Sequence, residues 1–131
     1  MKKTGILNQP ISSVIAGMGH KDTLVVADAG LPIPSGTERI DLALTEGLPP
    51  FLDTLRAVLT EMEVERATVA EEMLEVSPAI YDAVKDLLGD VPIETVPHEN
   101  LKARSRSARA VIRTGEFTPY ANVILVAGVV F

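Results

Sequence analysis

The chain has no cysteine and no tryptophan. Without cysteine there is neither a disulfide framework nor a thiolate zinc site. Aromatic side chains are scarce, two Tyr and three Phe in 131 residues, so a core has to be built from Val, Leu, Ile, Ala and Met. No apolar run approaches the ~18 residues of a membrane span. The start, Met1-Lys2-Lys3-Thr4-Gly5, runs on to polar Asn8 and Gln9 and holds no stretch of signal-peptide character. Excess positive charge is missing too. The formal net charge is −6, whereas a nucleic-acid partner calls for a basic face. The cluster Lys102, Arg104, Arg106 and Arg109 reads as a solvated helix face and loop. There is no Gly-x-Gly-x-x-Gly, no Gly-Lys-Ser/Thr loop and no Gly-x-Ser-x-Gly elbow. Nucleotide binding and serine-hydrolase chemistry therefore lack their signatures. These absences lead us to expect a soluble, cytoplasmic protein with no nucleic-acid and no membrane partner.

What is present is a chain that is 47% hydrophobic, long enough to bury a core as one domain, residues 1–131. Asn8 reads as an N-cap with Pro10 in the first helical turn. Ile11, Val14, Ile15 and Met18 follow at helical spacing, and Gly19 is placed to end the helix. Thr23 to Ala27 reads as a buried strand and Arg39 to Leu44 as a short one. Leu48-Pro49-Pro50 opens a second helix with Phe51, Leu52, Leu55, Val58, Leu59 and Met62 on its apolar face. Arg66 to Ala70 is a weaker strand. Ser77-Pro78 starts a helix carrying Ile80, Val84, Leu87 and Leu88, ended by Gly89. Val91 to Val96 is a strand, a short helix follows around Leu101, and Ala110 to Arg113 is another strand. Val123 to Val126 and Val129 to Phe131 read as terminal β segments. Strands alternating with helices predict an α/β fold: a three-layer αβα domain with a largely parallel central sheet. The right-handed crossover rule then gathers strand exits on one edge.

The polar residues fall at such exits. His20 comes directly after the first helix, where the negative end of the dipole favours an imidazolium. Asp28 follows the first strand and heads the Gly-Pro-rich loop Gly30 to Pro34. It is either a turn former bonded near Gly30 or a binding group. His98 follows Pro97 at another strand exit. A second polar cluster runs from Arg113 through Thr114-Gly115-Glu116-Phe117-Thr118-Pro119-Tyr120-Ala121-Asn122, and two of the five aromatic residues lie within it. Glu61, Glu63, Glu65, Glu71, Glu72 and Glu75 read as solvated surface, with Glu71 or Glu72 as alternative lining for a site. Two histidines and Asp28 match a two-His, one-carboxylate metal set in type, but no close His pairing supports it. Imidazoles, a carboxylate, a phenol and an amide suit a polyhydroxylated, uncharged ligand. Histidine can give or take a proton near neutrality. General acid–base help of roughly 10²–10⁴-fold per group is enough for opening a hemiacetal ring, though not by itself for breaking a glycosidic bond.

These motifs resemble the D-ribose pyranase family, which groups with the fucose mutarotases. The likeness runs through Lys2-Lys3-x-Gly5-Ile6-Leu7-Asn8, Gly19-His20-x-Asp22, Asp28-Ala29-Gly30-Leu31-Pro32-x-Pro34, Ile40-Asp41-Leu42, Pro97-His98-Glu99 and the long segment Ile112 to Asn122. It implies interconversion of the pyranose and furanose forms of D-ribose. On the matching positions it implies His20 as proton donor and Asp28, His98, Tyr120, Ala121 and Asn122 as sugar-binding residues. It also implies no metal or organic cofactor, and a ring-shaped cytoplasmic homo-oligomer, a decamer of stacked pentamers, with sites between subunits. A mutarotase for another sugar such as fucose and a non-catalytic sugar-binding accessory protein remain as alternatives.

Overall fold

In the computed structural model, which describes residues 1–131, Leu24, Val25, Val26 and Ala27 are all wholly buried. A run that is apolar on both faces needs cover on both sides, and β1 (Thr23–Ala27) lies in the middle of the sheet. The other strands are β2 (Glu38–Asp41), β3 (Val64–Ala70), β4 (Ile93–Val96), β5 (Ala110–Arg113) and β6 (Val123–Ala127). Their order across the sheet is β2-β5-β1-β6-β3-β4. β5 pairs parallel with both β1 and β2, β4 pairs parallel with β3, and β6 runs antiparallel between β1 and β3. The five parallel strands therefore end, and β6 begins, at one edge, the carboxyl edge. The residues that precede β1 and those that follow β6 share the opposite, amino edge.

Alternation along the strands divides the core in two. On one face Leu24, Val26, Ala110, Ile112 and Leu125 pack beneath α1 (Gln9–Gly17), α2 (Phe51–Leu59), α3 (Glu71–Val76) and α4 (Pro78–Leu88), which contribute Ile11, Phe51, Leu55, Met73 and Val84 among others. On the other face Val25, Ala27, Val111 and Ile124 pack against Leu31 and against Leu101 of α5 (His98–Arg104). This is the αβα sandwich the alternation predicts, with one thick and one thin outer layer. Asn8 caps α1 as expected, accepting from the Ile11 N–H at 3.0 Å.

Several elements depart from the sequence reading; β3 starts two residues earlier, at Val64, and β4 two later, at Ile93. α1 stops at Gly17 with Met18 as its extended cap; Gly19 instead donates its N–H to Asp22 Oδ2 at 2.8 Å and belongs to the next turn. β2 ends at Asp41, because the Ala43 N–H folds back on Asp41 Oδ1 at 3.0 Å. α3 was not foreseen: its six residues bury Met73 alone, too little to show a helical period. Val129 to Phe131 form no strand; they follow Gly128 at the amino edge and stand exposed, Phe131 completely.

Candidate active site

At the carboxyl edge Asp28 leaves β1 and meets Asn122, which is wholly buried just ahead of β6. The Asp28 N–H donates to Asn122 Oδ1 at 2.9 Å, and Asn122 Nδ2 donates to Asp28 Oδ2 at 3.0 Å. Asp28 Oδ1 accepts from the Gly30 N–H at 2.9 Å. The turn former and the candidate binding group are thus one residue: the turn orients the carboxylate, and each oxygen keeps a lone pair for a ligand hydroxyl.

The segment from Arg113 to Asn122 is fastened at nearly every step. Arg113 donates from Nε to the Ala29 carbonyl at 3.0 Å and from Nη1 to Asp41 at 3.1 and 3.2 Å. Thr114, wholly buried, donates from Oγ1 to the Ala27 carbonyl at 2.7 Å. Glu116 accepts the first N–H of α2, from Phe51, at 3.0 Å on one oxygen and the Thr118 hydroxyl at 2.9 Å on the other. The Pro119 carbonyl accepts from Ser77 Oγ at 2.7 Å. These ties shape an open cavity of about 420 Å³ lined by Asp28, Gly30, Arg113, Glu116, Phe117 and Thr118 among others.

Tyr120-Ala121-Asn122 continues the chain from this cavity, and Tyr120 meets His98. The rings of Tyr120 and His98 meet edge to face, centroids 5.0 Å apart and planes at 80°. The His98 N–H, at the start of α5, donates to both oxygens of Glu72 at 2.9 and 3.2 Å. Glu72 thus caps that helix. His98 Nδ1 is buried with no hydrogen-bond partner in the protein, a nitrogen suited to a ligand hydroxyl. Tyr120 has a φ of +62°, and Lys21 one of +69°; they are the two non-glycine residues in the left-handed region. Each stands in one of the two candidate corners, where such strain is characteristically placed.

His20 is in the other corner, at the amino edge. Thr23 to Ala27 alone, about 13 Å of extended chain, separates its end of β1 from that of Asp28. It lines a different cavity of about 440 Å³ with Ile15, Met18, Glu63, Gly128 and Phe131 among others. Its turn is rigidly held. The Lys21 N–H donates to the Ala127 carbonyl at 2.9 Å, and the Ala127 N–H to the Asp22 carbonyl at 2.8 Å. The Asp22 carboxylate takes the Gly19 N–H and pairs with Arg109 at 3.0 Å. These two contacts, the Gly19 amide first, hold its pKa below the ordinary carboxylate value. Asp41 is also lowered: burial pushes it up, but the Ala43 amide and the Arg113 guanidinium together outweigh that.

A family model for the RbsD/FucU transport protein family matches residues 1–130. The chain belongs to the RbsD/FucU family. Within that family it is 60% identical to a D-ribose pyranase of Laribacter hongkongensis and 59% identical to one of Chloroflexus aggregans, each alignment covering both chains completely. It is similar to the structure of Bacillus subtilis RbsD complexed with D-ribose, with a TM-score of 0.97 and 47% identity over the whole of both chains. A fucose mutarotase of Streptococcus pneumoniae in complex with L-fucose matches at a TM-score of 0.80 and 25% identity, over 95% of each chain.

Of the residues the family resemblance nominates, Asp28, His98, Tyr120, Ala121 and Asn122 lie along one edge of the sheet, linked by direct contacts or chain continuity. Ala121 is wholly buried, so the polar groups it has to offer are its main-chain N–H and C=O. His20 does not join them within one chain. The carboxylate that touches His20 is Glu65, at 2.8 Å. In the sequence Glu65 reads as plain surface, because nothing local distinguishes it from its neighbours Glu61 and Glu63.

Proposed function

We propose that this protein is a D-ribose pyranase, opening the pyranose ring of D-ribose and reclosing it as the furanose. The observation that carries the reading is its full-length similarity in sequence and backbone to a D-ribose complex, together with a carboxylate, an imidazole and an amide gathered at the edge where strands end. Asp28 and Asn122 accept and donate to sugar hydroxyls, and the Tyr120 ring offers an apolar face. His20 gives a proton to the ring oxygen while a base removes the anomeric hydroxyl proton. The open aldehyde rotates, and a different hydroxyl closes on C1.

In this reading the whole chain acts as one domain, in the cytoplasm, with no metal or organic cofactor. His20 of one copy completes the Asp28–Asn122 edge of a neighbour in a ring-shaped homodecamer. Support for a shared site is the placement of the two corners at opposite ends of β1, a distance no side chain spans. The exposed Val129, Val130 and Phe131 beside His20 give the amino edge an apolar border suited to a second copy.

The test is saturation-transfer NMR between the pyranose and furanose signals of D-ribose. Addition of the protein should raise the exchange rate, and His20→Ala should remove roughly 10²–10⁴-fold of the gain. An exchange rate unchanged by the wild-type protein would refute the reading. L-fucose belongs in the same assay, because the likeness to a fucose mutarotase favours it as a second substrate. Thermal stabilisation by ribose with no rise in exchange would instead indicate a sugar-binding protein without catalysis.

A further inference from the structure

His20 Nε2 lies 2.8 Å from Glu65 Oε2, and the reason Glu65 reaches it is a defect in the sheet. In the β3–β6 pairing Val64 faces Ala127 and Arg66 faces Val126. Two steps along β3 therefore match one step along β6, and Glu65 is the extra residue of a bulge. The burial pattern agrees. Val64, Ala67 and Val69 share one core, a three-residue step followed by a two-residue step, where an unbroken strand would place Val64 on the opposite face. Gly128 closes over the bulge: a Cβ there would come within 3.2 Å of the Glu65 Cβ and 3.4 Å of its nitrogen, and the Gly128 N–H donates to the Glu63 carbonyl at 3.0 Å. The bulge turns Glu65 out of the ladder and toward the His20 ring, a common use of bulges beside active sites.

The turn that carries His20 is fixed by four main-chain and side-chain bonds described above, so what remains free is the rotation of its ring. Glu65 is the one side chain hydrogen-bonded to that ring. It is not among the residues lining the cavity that His20 lines. A carboxylate accepts hydrogen bonds, so the hydrogen shared by the pair sits on Nε2. That leaves Nδ1 as the nitrogen free to meet a ligand.

We propose that Glu65 is the positioning residue for His20, and that His20 exchanges its proton with the sugar through Nδ1. The inference rests on the proton-donor role given to His20 above. In the ring-opening step the Nδ1 proton passes to the ring oxygen. The bond from C1 to that oxygen breaks, and its electron pair becomes the new hydroxyl's. The anomeric hydroxyl loses its proton to solvent water as C1 becomes the aldehyde carbon. His20 is then neutral, with its remaining proton on Nε2 against Glu65. On closure a different hydroxyl attacks C1 and returns a proton to Nδ1, and the carbonyl oxygen takes one back from water.

The experiment combines exchange kinetics with ¹⁵N NMR of the two histidine rings, on wild type, E65A and E65Q. E65A is expected to lower kcat by about tenfold, a part of what a positioned proton donor contributes, with KM little changed. E65Q keeps an acceptor oxygen and is expected to retain most of the rate. The neutral His20 ring should carry its proton on Nε2 in wild type and E65Q and should become a mixture of tautomers in E65A. A wild-type ring protonated on Nδ1, or an E65A enzyme with the wild-type kcat and tautomer, would overturn the proposal. If the wild-type protein failed to accelerate exchange, the pyranase reading would fall by that result alone, and the tautomer measurement would still decide the role of Glu65.

Discussion

At the scale of single residues, three carboxylates beside the candidate groups hold loops and helix starts. Asp22, Asp41 and Glu72 each fix a turn or a helix start next to a candidate ligand group. Asp22 makes the consequence testable. Its pKa in the folded chain lies below the ordinary carboxylate value of 3.8, owing first to the Gly19 amide and then to Arg109. A folded pKa below the unfolded one means the unfolded chain binds more protons in acid. The stabilisation is therefore complete above that ordinary value and disappears as pH falls through the lowered one. Thermal melts of wild type and Asp22→Asn at pH 7 and in the region below about pH 4 should show the wild type losing more of its stability between the two than the variant does. Equal losses would mean that the Asp22 contacts add nothing in solution.

At the scale of elements, the segment from Arg113 to Asn122 is the piece that makes the carboxyl edge into a cavity, and Gly115 is its tightest point. A Cβ at Gly115 would lie 2.6 Å from both the Leu48 nitrogen and the Thr45 carbonyl oxygen, with the Leu48 carbonyl closer still. The Gly115 carbonyl also accepts from the Gly47 N–H at 2.7 Å. All of these neighbours are backbone, which cannot swing aside. Gly115→Ala should therefore lower stability by about 1–3 kcal/mol in urea unfolding and raise KM by loosening the Asp28 cavity; an unchanged midpoint would show that the loop yields. Elements of this kind were legible in the sequence when an apolar pattern was long enough to carry a period. β1, β5, α1 and α4 emerged close to their observed bounds because buried runs and caps coincide there. α3 was not legible, since one buried residue in six leaves no stripe. Val129 to Phe131 misled because β-branched apolar residues imply a strand only where a partner strand exists. Asp28 and His98 could be read from strand exits, and Tyr120 and Asn122 from the polar segment ahead of β6 and the family resemblance, whereas Glu65 could not, because a bulge is a property of the pairing between β3 and β6 and leaves no mark on either strand alone.

At the scale of the whole molecule, the direction of β1 decides where catalysis can occur. His20 precedes that strand and Asp28 follows it, so if both act on one sugar, as proposed above, they come from two chains. In a ring built head to tail, a heterologous contact repeated around an axis, each chain would give its amino edge to one neighbour and its carboxyl edge to the other. Mixing two inactive variants tests this directly. His20→Ala and Asp28→Asn homo-oligomers should each be near background in the ribose exchange assay. Unfolded together in equal amounts and refolded, they should recover about one quarter of the wild-type rate if each site draws its two residues at random from two copies. The intact pairs arise where an Asp28→Asn chain supplies His20 to a His20→Ala chain that supplies Asp28. Sites confined to one chain would give no recovery at any mixing ratio, since every chain carries one lesion. Recovery that follows the product of the two variant fractions, peaking at equal amounts, is the signature of a site shared between exactly two neighbours.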